Sequence, residues 1–326
     1  MKIAITGASG HVGINLCNTL LQAGHQVKAL YHRNDQELKK IPVQLIKGDV
    51  LDKTSIRLLL EDVEVVYHLA AKISIVGDKD GMVHRTNSEG TGNLLDIALE
   101  KGIRRFIHFS SIHAFQQHPL NERLDESRPL VQDKGFAYDC SKASGERAVR
   151  EAVSKGLDAV ILSPTAIIGP ADPEPSLTGK AIVDLINHKI PSLVPGGYDW
   201  VDVRDVVDAA VAAIDKGRCG EKYLLSGHWH SLTDLASILE KESGRKIVKT
   251  VLPFWLARVG LPFISLYSAL SKKEPLYTKE SLVIISEGSR LTDHSKAQKE
   301  LGFQPRPFTE TIRDMVAWLK HNHFIQ

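Results

Sequence analysis

The sequence is poor in cysteine, with three residues (Cys17, Cys140 and Cys219) in a chain of 326. They are odd in number and far apart, so they give neither a disulfide framework nor a zinc-ligand spacing. A reducing cytoplasm is the expected setting. An excess of one charge is also missing. Lys and Arg number 41 against 39 Asp and Glu, a formal net charge of +2. That gives no reason to expect a nucleic-acid partner, which would want a concentrated basic face. No metal-ligand cluster is visible, and no metal is expected. The opening MKIAITGASG runs straight into a strand and a glycine turn, without the apolar run and small-residue cleavage site of a secretory signal.

No long apolar run is unbroken. The longest, Val251–Leu270, is interrupted by Pro253, Arg258 and Pro262, which argues against a membrane span. It reads as a helix pair on the substrate side; the alternative is a surface that touches lipid or an apolar substrate. Internal repeats and low-complexity segments are absent.

What remains is ordinary globular composition, 43% hydrophobic and 25% charged, in a chain long enough for one large domain or two moderate ones. Short β-rich runs read at Lys2–Thr6, Gln26–Tyr31, Val43–Lys47, Val65–Leu69, Arg105–Ser110 and Asp158–Ser163. Helical patterns lie between them, as at Gly13–Ala23 and Asn87–Lys101. Near-continuous apolar strands alternating with helices indicate a parallel sheet covered on both faces. This is an α/β, doubly wound Rossmann pattern, in which ligands sit beyond the carboxyl ends of the strands. After Ile168 the chain reads as a loop, a helix at Ala181–Asn187, a loop at Pro195–Tyr198, a helix at Val201–Asp215 and a last strand at Lys222–Ser226. A mostly helical tail follows, with a strand expected at Ile247–Val251. The expected division is a nucleotide domain of residues 1–168 plus about 201–227. A smaller, mostly helical substrate lobe takes about 169–200 and 228–326.

The run Thr6-Gly7-Ala8-Ser9-Gly10-His11-Val12-Gly13 closes the first strand and opens the first helix. Its glycines permit a tight turn, close approach of backbone to a pyrophosphate, and close helix-to-sheet packing, while the helix N-terminus offers free N–H groups. The second strand ends in Tyr31-His32-Arg33, with no carboxylate for the ribose hydroxyls of NAD. Arg33 beside His32 suits a 2′-phosphate instead, so NADP is the expected cofactor and NAD the alternative. Asp49 and Val50 follow the third strand, where Asp49 can meet the adenine amino group or cap a helix. Leu69, Ala70 and Ala71 follow the fourth and supply small side chains where a cofactor must lie flat.

Tyr138 and Lys142 stand four apart, on one face of a helix. Ser110 and Ser111 close the strand Arg105–Ser110. A free tyrosine ionises near pH 10, and a lysine ammonium one turn away, together with the cationic nicotinamide of the oxidised state, is expected to lower that value. A serine hydroxyl would hold a substrate oxygen beside the phenol. Hydride would pass between a nicotinamide and the carbonyl carbon while Tyr138 gives or takes the proton. His113 reads either as facing the substrate or as a solvated loop residue. Cys140 points to another helix face and has no assigned role.

These motifs together resemble the extended short-chain dehydrogenase/reductase family. Within it the chain is most similar to the dihydroflavonol reductase-like and 3β-hydroxysteroid dehydrogenase-like branch. The resemblance covers nearly the whole chain: TGASGHVG (6–13), GDV (48–50), HLAA (68–71), NSEGTGNLL (87–95), FSSIHAF (109–115), YDCSK (138–142), SPTAIIGP (163–170), WVDVRDVVDA (200–209) and KAQKELGFQPRP (296–307). It implies that Ser111 rather than Ser110 is catalytic, since Ser111 stands four residues before Phe115. It also implies that Lys142 binds the nicotinamide ribose and that Pro164, Thr165 and Ile167 line the nicotinamide pocket. Tyr31, Phe115 and Gln116 depart from the acidic residue, tyrosine and glycine common in sugar-nucleotide epimerases.

The resulting expectation is an NADPH-dependent reductase of a ketone or aldehyde, with a small-molecule carbonyl or alcohol as its partner. A homodimer stays open. A nucleotide-sugar epimerase or dehydratase is the second reading; its diphosphate would need a grip from Arg204, Arg245, Arg258 or Arg290. A dinucleotide sensor without chemistry is the third, and the joint presence of Ser111, Tyr138 and Lys142 argues against it.

Overall fold

The computed structural model describes residues 1–132, 134–259 and 277–326. Among them the strands are β1 (Lys2–Thr6), β2 (Gln26–Tyr31), β3 (Gln44–Lys47), β4 (Val65–His68), β5 (Arg105–Phe109), β6 (Ala159–Pro164), β7 (Ala166–Ile168), β8 (Gly197–Asp202), β9 (Lys222–Leu225) and β10 (His228–Ser231). Seven of them build one parallel sheet in the order β3-β2-β1-β4-β5-β6-β9. Their side chains alternate between two buried layers, which is why the runs read as continuously apolar. Ile3 and Ile5 join the layer that packs on helices His11–Gln22 and Val203–Ala212. Ala4 faces the layer on helices Lys53–Leu59, Gly90–Lys101 and Ala137–Ser154. The fully buried Tyr67 of β4 donates its hydroxyl to the carbonyl of Ala210 at 3.0 Å, the partner a buried phenol requires.

This is the doubly wound, Rossmann-like sheet expected from the alternation. The chain winds outward from β1 to β3, then returns to the other side of β1 at β4. A ligand crevice opens at that reversal, beyond the strands' carboxyl ends.

The second half departs from expectation in one systematic way. A three-stranded sheet, order β10-β8-β7, lies where only helix and loop were read. Val201 and Asp202, read as helical, belong to β8, paired in parallel with Ile167 and Ile168. The expected loop Pro195–Tyr198 runs into the same strand at Gly197. The helix begins only at Val203, where Asp202 caps it by accepting the Arg204 N–H at 2.8 Å. Ser176 likewise caps a helix running from Leu177 to Ile186, so part of the Pro- and Gly-rich stretch is helical. No strand forms at Ile247–Val251. Val251 makes an isolated bridge with Leu193. Of the apolar stretch Val251–Leu270, residues 260–270 lie outside the described residues.

Around the small sheet, Trp200 packs with Leu185, Leu239, Ile312 and Met315 from three helices into a separate core. Helix Ser295–Leu301 instead returns to the main sheet, where Ala297 and Leu301 enter its core. Among the described residues no helix is long and apolar enough to cross a membrane.

Candidate active site

The residues expected to hold the cofactor or to react all face one cleft of about 1460 Å³: Gly7, Ser9, Gly10, His11, Val12, Gly13, His32, Arg33, Asp49, Val50, Leu69, Ala70, Ala71, Ser111, Tyr138, Lys142, Pro164, Thr165 and Ile167. The glycine turn accounts for one end. Gly7 has φ +70°, and a Cβ there would stand 2.7 Å from the Ala70 nitrogen, so the backbone of residues 69 and 70 closes directly on it. A Cβ at Gly13 would lie 2.7 Å from the Ala8 Cα, which lets the helix sit against the turn. Gly10 caps helix His11–Gln22 with no side-chain hydrogen bond, and no acidic residue occupies its first turn. Free N–H groups at a dipole's positive end make a cradle for an anionic pyrophosphate. These residues fit a dinucleotide.

His11 has a further engagement. Its Nε2 lies 3.0 Å from the Pro170 carbonyl, and Asn15 donates to the Ala171 carbonyl at 3.1 Å. The loop after β7 is thereby tied to the first helix. At the tip of β2, Arg33 and His32 are exposed and no carboxylate stands beside them on that strand. Across from them Asp49 accepts the Leu51 N–H at 2.9 Å and lies 3.5 Å from His32 Nε2. Arg33 makes no ion pair among the described residues.

The other end gathers the reactive groups. Ser111, just past β5, accepts the His113 N–H at 3.2 Å, and Phe136 caps the helix Ala137–Ser154 that carries Tyr138 and Lys142. The Lys142 amine donates to the Phe109 carbonyl at 2.5 Å. Burial pushes the Tyr138 phenol up to about 12, while the Ser111 hydroxyl beside it pulls the other way. Burial draws Lys142 down to about 8, against the attraction of Glu146. This corrects the lysine's part of the expectation: burial outweighs it, and Lys142 is not among the causes acting on the phenol. Both groups are desolvated, each is driven toward its neutral form, and the amine is turned to a strand carbonyl.

His113 presents its ring edge to Tyr138, centroids 5.7 Å apart, with Nδ1 3.2 Å from Asp139 Oδ1. From the far lobe the buried Glu280 carboxyl acts on the same group, raised to about 7 by burial and then by Asp139. Thr165 donates to Asp199, which also accepts from Gly227 N at 2.7 Å and Thr292 at 2.6 Å. Asp199 and Glu280 carried no motif and were missed. Glu146, one turn beyond Lys142, was missed as well, although helical spacing alone would have found it.

The substrate end is lined by Ile182, Leu185, Leu193, Trp200, Leu235 and Ile284, among others. None of the arginines considered for a diphosphate lines it. Arg204 is held by Asp202 and Asp314, Arg245 by Asn187, and Arg290 lies over Trp229; Arg258 is exposed. Among the described residues no group of three or more His, Cys, Asp or Glu is placed to hold a metal.

A family model, "NAD dependent epimerase/dehydratase family", matches residues 3–226. Sterol demethylase protein B of Methylococcus capsulatus is 32% identical, with 100% of both chains covered. A putative dihydroflavonol 4-reductase of Synechocystis sp. is 29% identical over 99% of this chain and 95% of that protein. Among solved structures, gox2253 superposes with a TM-score of 0.85 at 29% identity, covering 99% of both chains. The UDP-glucuronic acid 4-epimerase of Bacillus cereus, in complex with UDP-glucuronic acid and NAD, shares the fold at a TM-score of 0.78 and 24% identity, over 98% of this chain and 99% of its own.

Proposed function

The chain belongs to the NAD-dependent epimerase/dehydratase family, and from that premise we propose that it is an NADPH-dependent reductase of an apolar ketone or aldehyde, oxidising the alcohol in reverse. The observation that carries this reading is a Ser111–Tyr138–Lys142 site opening onto an apolar chamber with no arginine from the far lobe among the described lining residues. A nucleotide sugar brings two negative charges, and among the described lining residues from 169–200 and 277–326 the Lys and Arg side chains come down to Lys180. Asp139, Asp184 and Glu287, which line the same cleft, add repulsion.

When bound, the nicotinamide supplies or accepts the hydride. The turn Gly7–Gly13 holds the pyrophosphate on backbone N–H groups, and Arg33 takes the 2′-phosphate. Ser111 orients the substrate oxygen by hydrogen bonding. Tyr138, protonated at neutral pH, gives its proton to that oxygen in reduction and recovers it in oxidation. Lys142 supplies positive charge beside the phenol. The apolar chamber excludes water and orients the substrate's carbon skeleton.

The test is oxidation of NADPH and of NADH against a panel of apolar carbonyl compounds, with UDP- and GDP-sugars run in parallel. Carbonyl-dependent NADPH consumption is expected. Epimerised nucleotide sugar without net cofactor consumption would replace this reading with the epimerase one.

A further inference from the structure

Behind the reactive pair lies a buried carboxylate that the proposed chemistry does not use. Glu146 is fully buried one turn beyond Lys142 on helix Ala137–Ser154. Its Oε1 lies 2.8 Å from the amine of Lys222 on β9, which is 3% exposed along its side chain. Arg150 reaches the same oxygen at 3.5 Å. Its Oε2 accepts a hydrogen bond from Ser110 Oγ at 3.0 Å, the residue before Ser111. Lys222 sits over the Phe115 ring, 3.9 Å from its centre. Neither Glu146 nor Lys222 lines the cleft.

A buried ion pair is weak evidence of a stabilising role, because apolar residues of similar volume commonly serve as well. What apolar residues cannot supply is charge. Lys142 is faced from its own helix by Glu146, from β5 by the Phe109 carbonyl and His108, and from β4 by His68. Burial, with the lysine's own charge as a lesser cause, drives both imidazoles toward neutrality. Glu146 is left as the carboxylate acting on the amine.

We propose that Glu146 is a positioning residue for the Tyr138–Lys142 pair. Its carboxylate, paired with Lys222, is the negative charge one turn from the Lys142 amine, and its second oxygen fixes the strand end that presents Ser111. The inference rests on the reading of Tyr138 and Lys142 as the reacting pair, but its test needs no turnover.

Lys142 lines the cleft, so an acylating reagent reaches it. Competitive acetylation with acetic anhydride between about pH 6 and about pH 10 titrates the amine, read by mass spectrometry of the Lys142 peptide in cofactor-free protein. The wild-type midpoint is expected near 8. Glu146→Gln keeps the size and removes the charge, and should lower the midpoint by about one unit. Glu146→Asp keeps the charge and shortens the chain, and should stay closer to wild type. A purely structural role predicts the reverse ranking, since glutamine preserves the shape. The double variant Glu146→Gln/Lys222→Met removes both charges together and covers the case in which the single variant fails to fold; it should show the same lowered midpoint. An unchanged midpoint in the folded variants, or the reverse ranking, overturns the proposal. Retained carbonyl reduction by Tyr138→Phe would instead overturn the reading of the reacting pair and leave the labelling result standing.

Discussion

Lys142 donates to the carbonyl of Phe109 at 2.5 Å, which ties the helix bearing Tyr138 to the strand end bearing Ser111. The three reactive side chains come from two elements, and this one bond fixes the spacing between them. Burial, the first cause of both shifts, pushes the phenol up to about 12 and draws the amine down to about 8.

The first prediction concerns the proton. Tyr138→Phe removes the acid and keeps the ring, so carbonyl-dependent NADPH oxidation should fall by about 10²- to 10⁴-fold, the usual contribution of a positioned acid–base group. Fluorescence titration should give NADPH affinity within about twofold of wild type, because the substitution leaves the phosphate turn untouched. A variant that keeps turnover would remove Tyr138 from the mechanism.

The glycine turn gives a comparison between two glycines. Gly7 and Gly24 both have positive φ, +70° and +79°, but a Cβ at Gly7 meets the Ala70 nitrogen at 2.7 Å and one at Gly24 meets nothing within 4 Å. Gly24→Ala should cost about 1 kcal/mol from backbone conformation alone. Gly7→Ala adds the overlap and should cost more, on the order of 3 kcal/mol, with weakened NADPH binding. Denaturant melts of both variants check the difference; equal costs would mean the turn does not close on residues 69 and 70.

The parts of the molecule differ in how far the sequence reveals them. The main sheet was legible because β1, β4, β5 and β6 are almost wholly buried, and the long helices His11–Gln22, Gly90–Lys101 and Ala137–Ser154 set them apart from their neighbours in the chain, so each strand carries its own signal. The small sheet was not. Ala166–Ile168 is three residues long, and Trp200-Val201-Asp202 merges without a break into the helical pattern of Val203–Ala212. Only the pairing of these segments in space makes them strands. The site shows the same contrast. Gly7, Tyr138 and Lys142 sit in local motifs, while Glu280, on helix Lys279–Glu287, feels the charge of Asp139 and carries no mark in its own neighbourhood. The direction of the Tyr138 shift also escaped, because it depends on how much water the fold removes rather than on which residue stands four places away.

Cofactor choice turns on Arg33. An exposed guanidinium at the tip of β2, without an ion pair among the described residues, is available to a 2′-phosphate. A charge-assisted hydrogen bond of about 1.5–3 kcal/mol corresponds to roughly 10- to 100-fold in affinity. Arg33→Ser should therefore raise the KM for NADPH by that factor and change the KM for NADH by less than about threefold. Equal effects on the two cofactors would assign Arg33 to the surface and leave NADP without its recognition group.

The last prediction follows from the Glu280 carboxyl, 6% exposed and raised from 4.5 to about 7 by burial first and by Asp139 second, with His113 opposing. Between those two values the folded chain holds a proton that the unfolded chain has released. The group's contribution to stability is full below about pH 4.5 and is lost as the pH climbs through about 7. Glutamine at this position stays neutral throughout. The melting temperature of Glu280→Gln relative to wild type should therefore rise from about pH 5 and level off above about pH 7, with most of the gain between those two values. A difference in melting temperature that is the same at both ends of that range would show that Glu280 ionises as freely in the folded chain as in the unfolded one, and that Asp139 does not act on it.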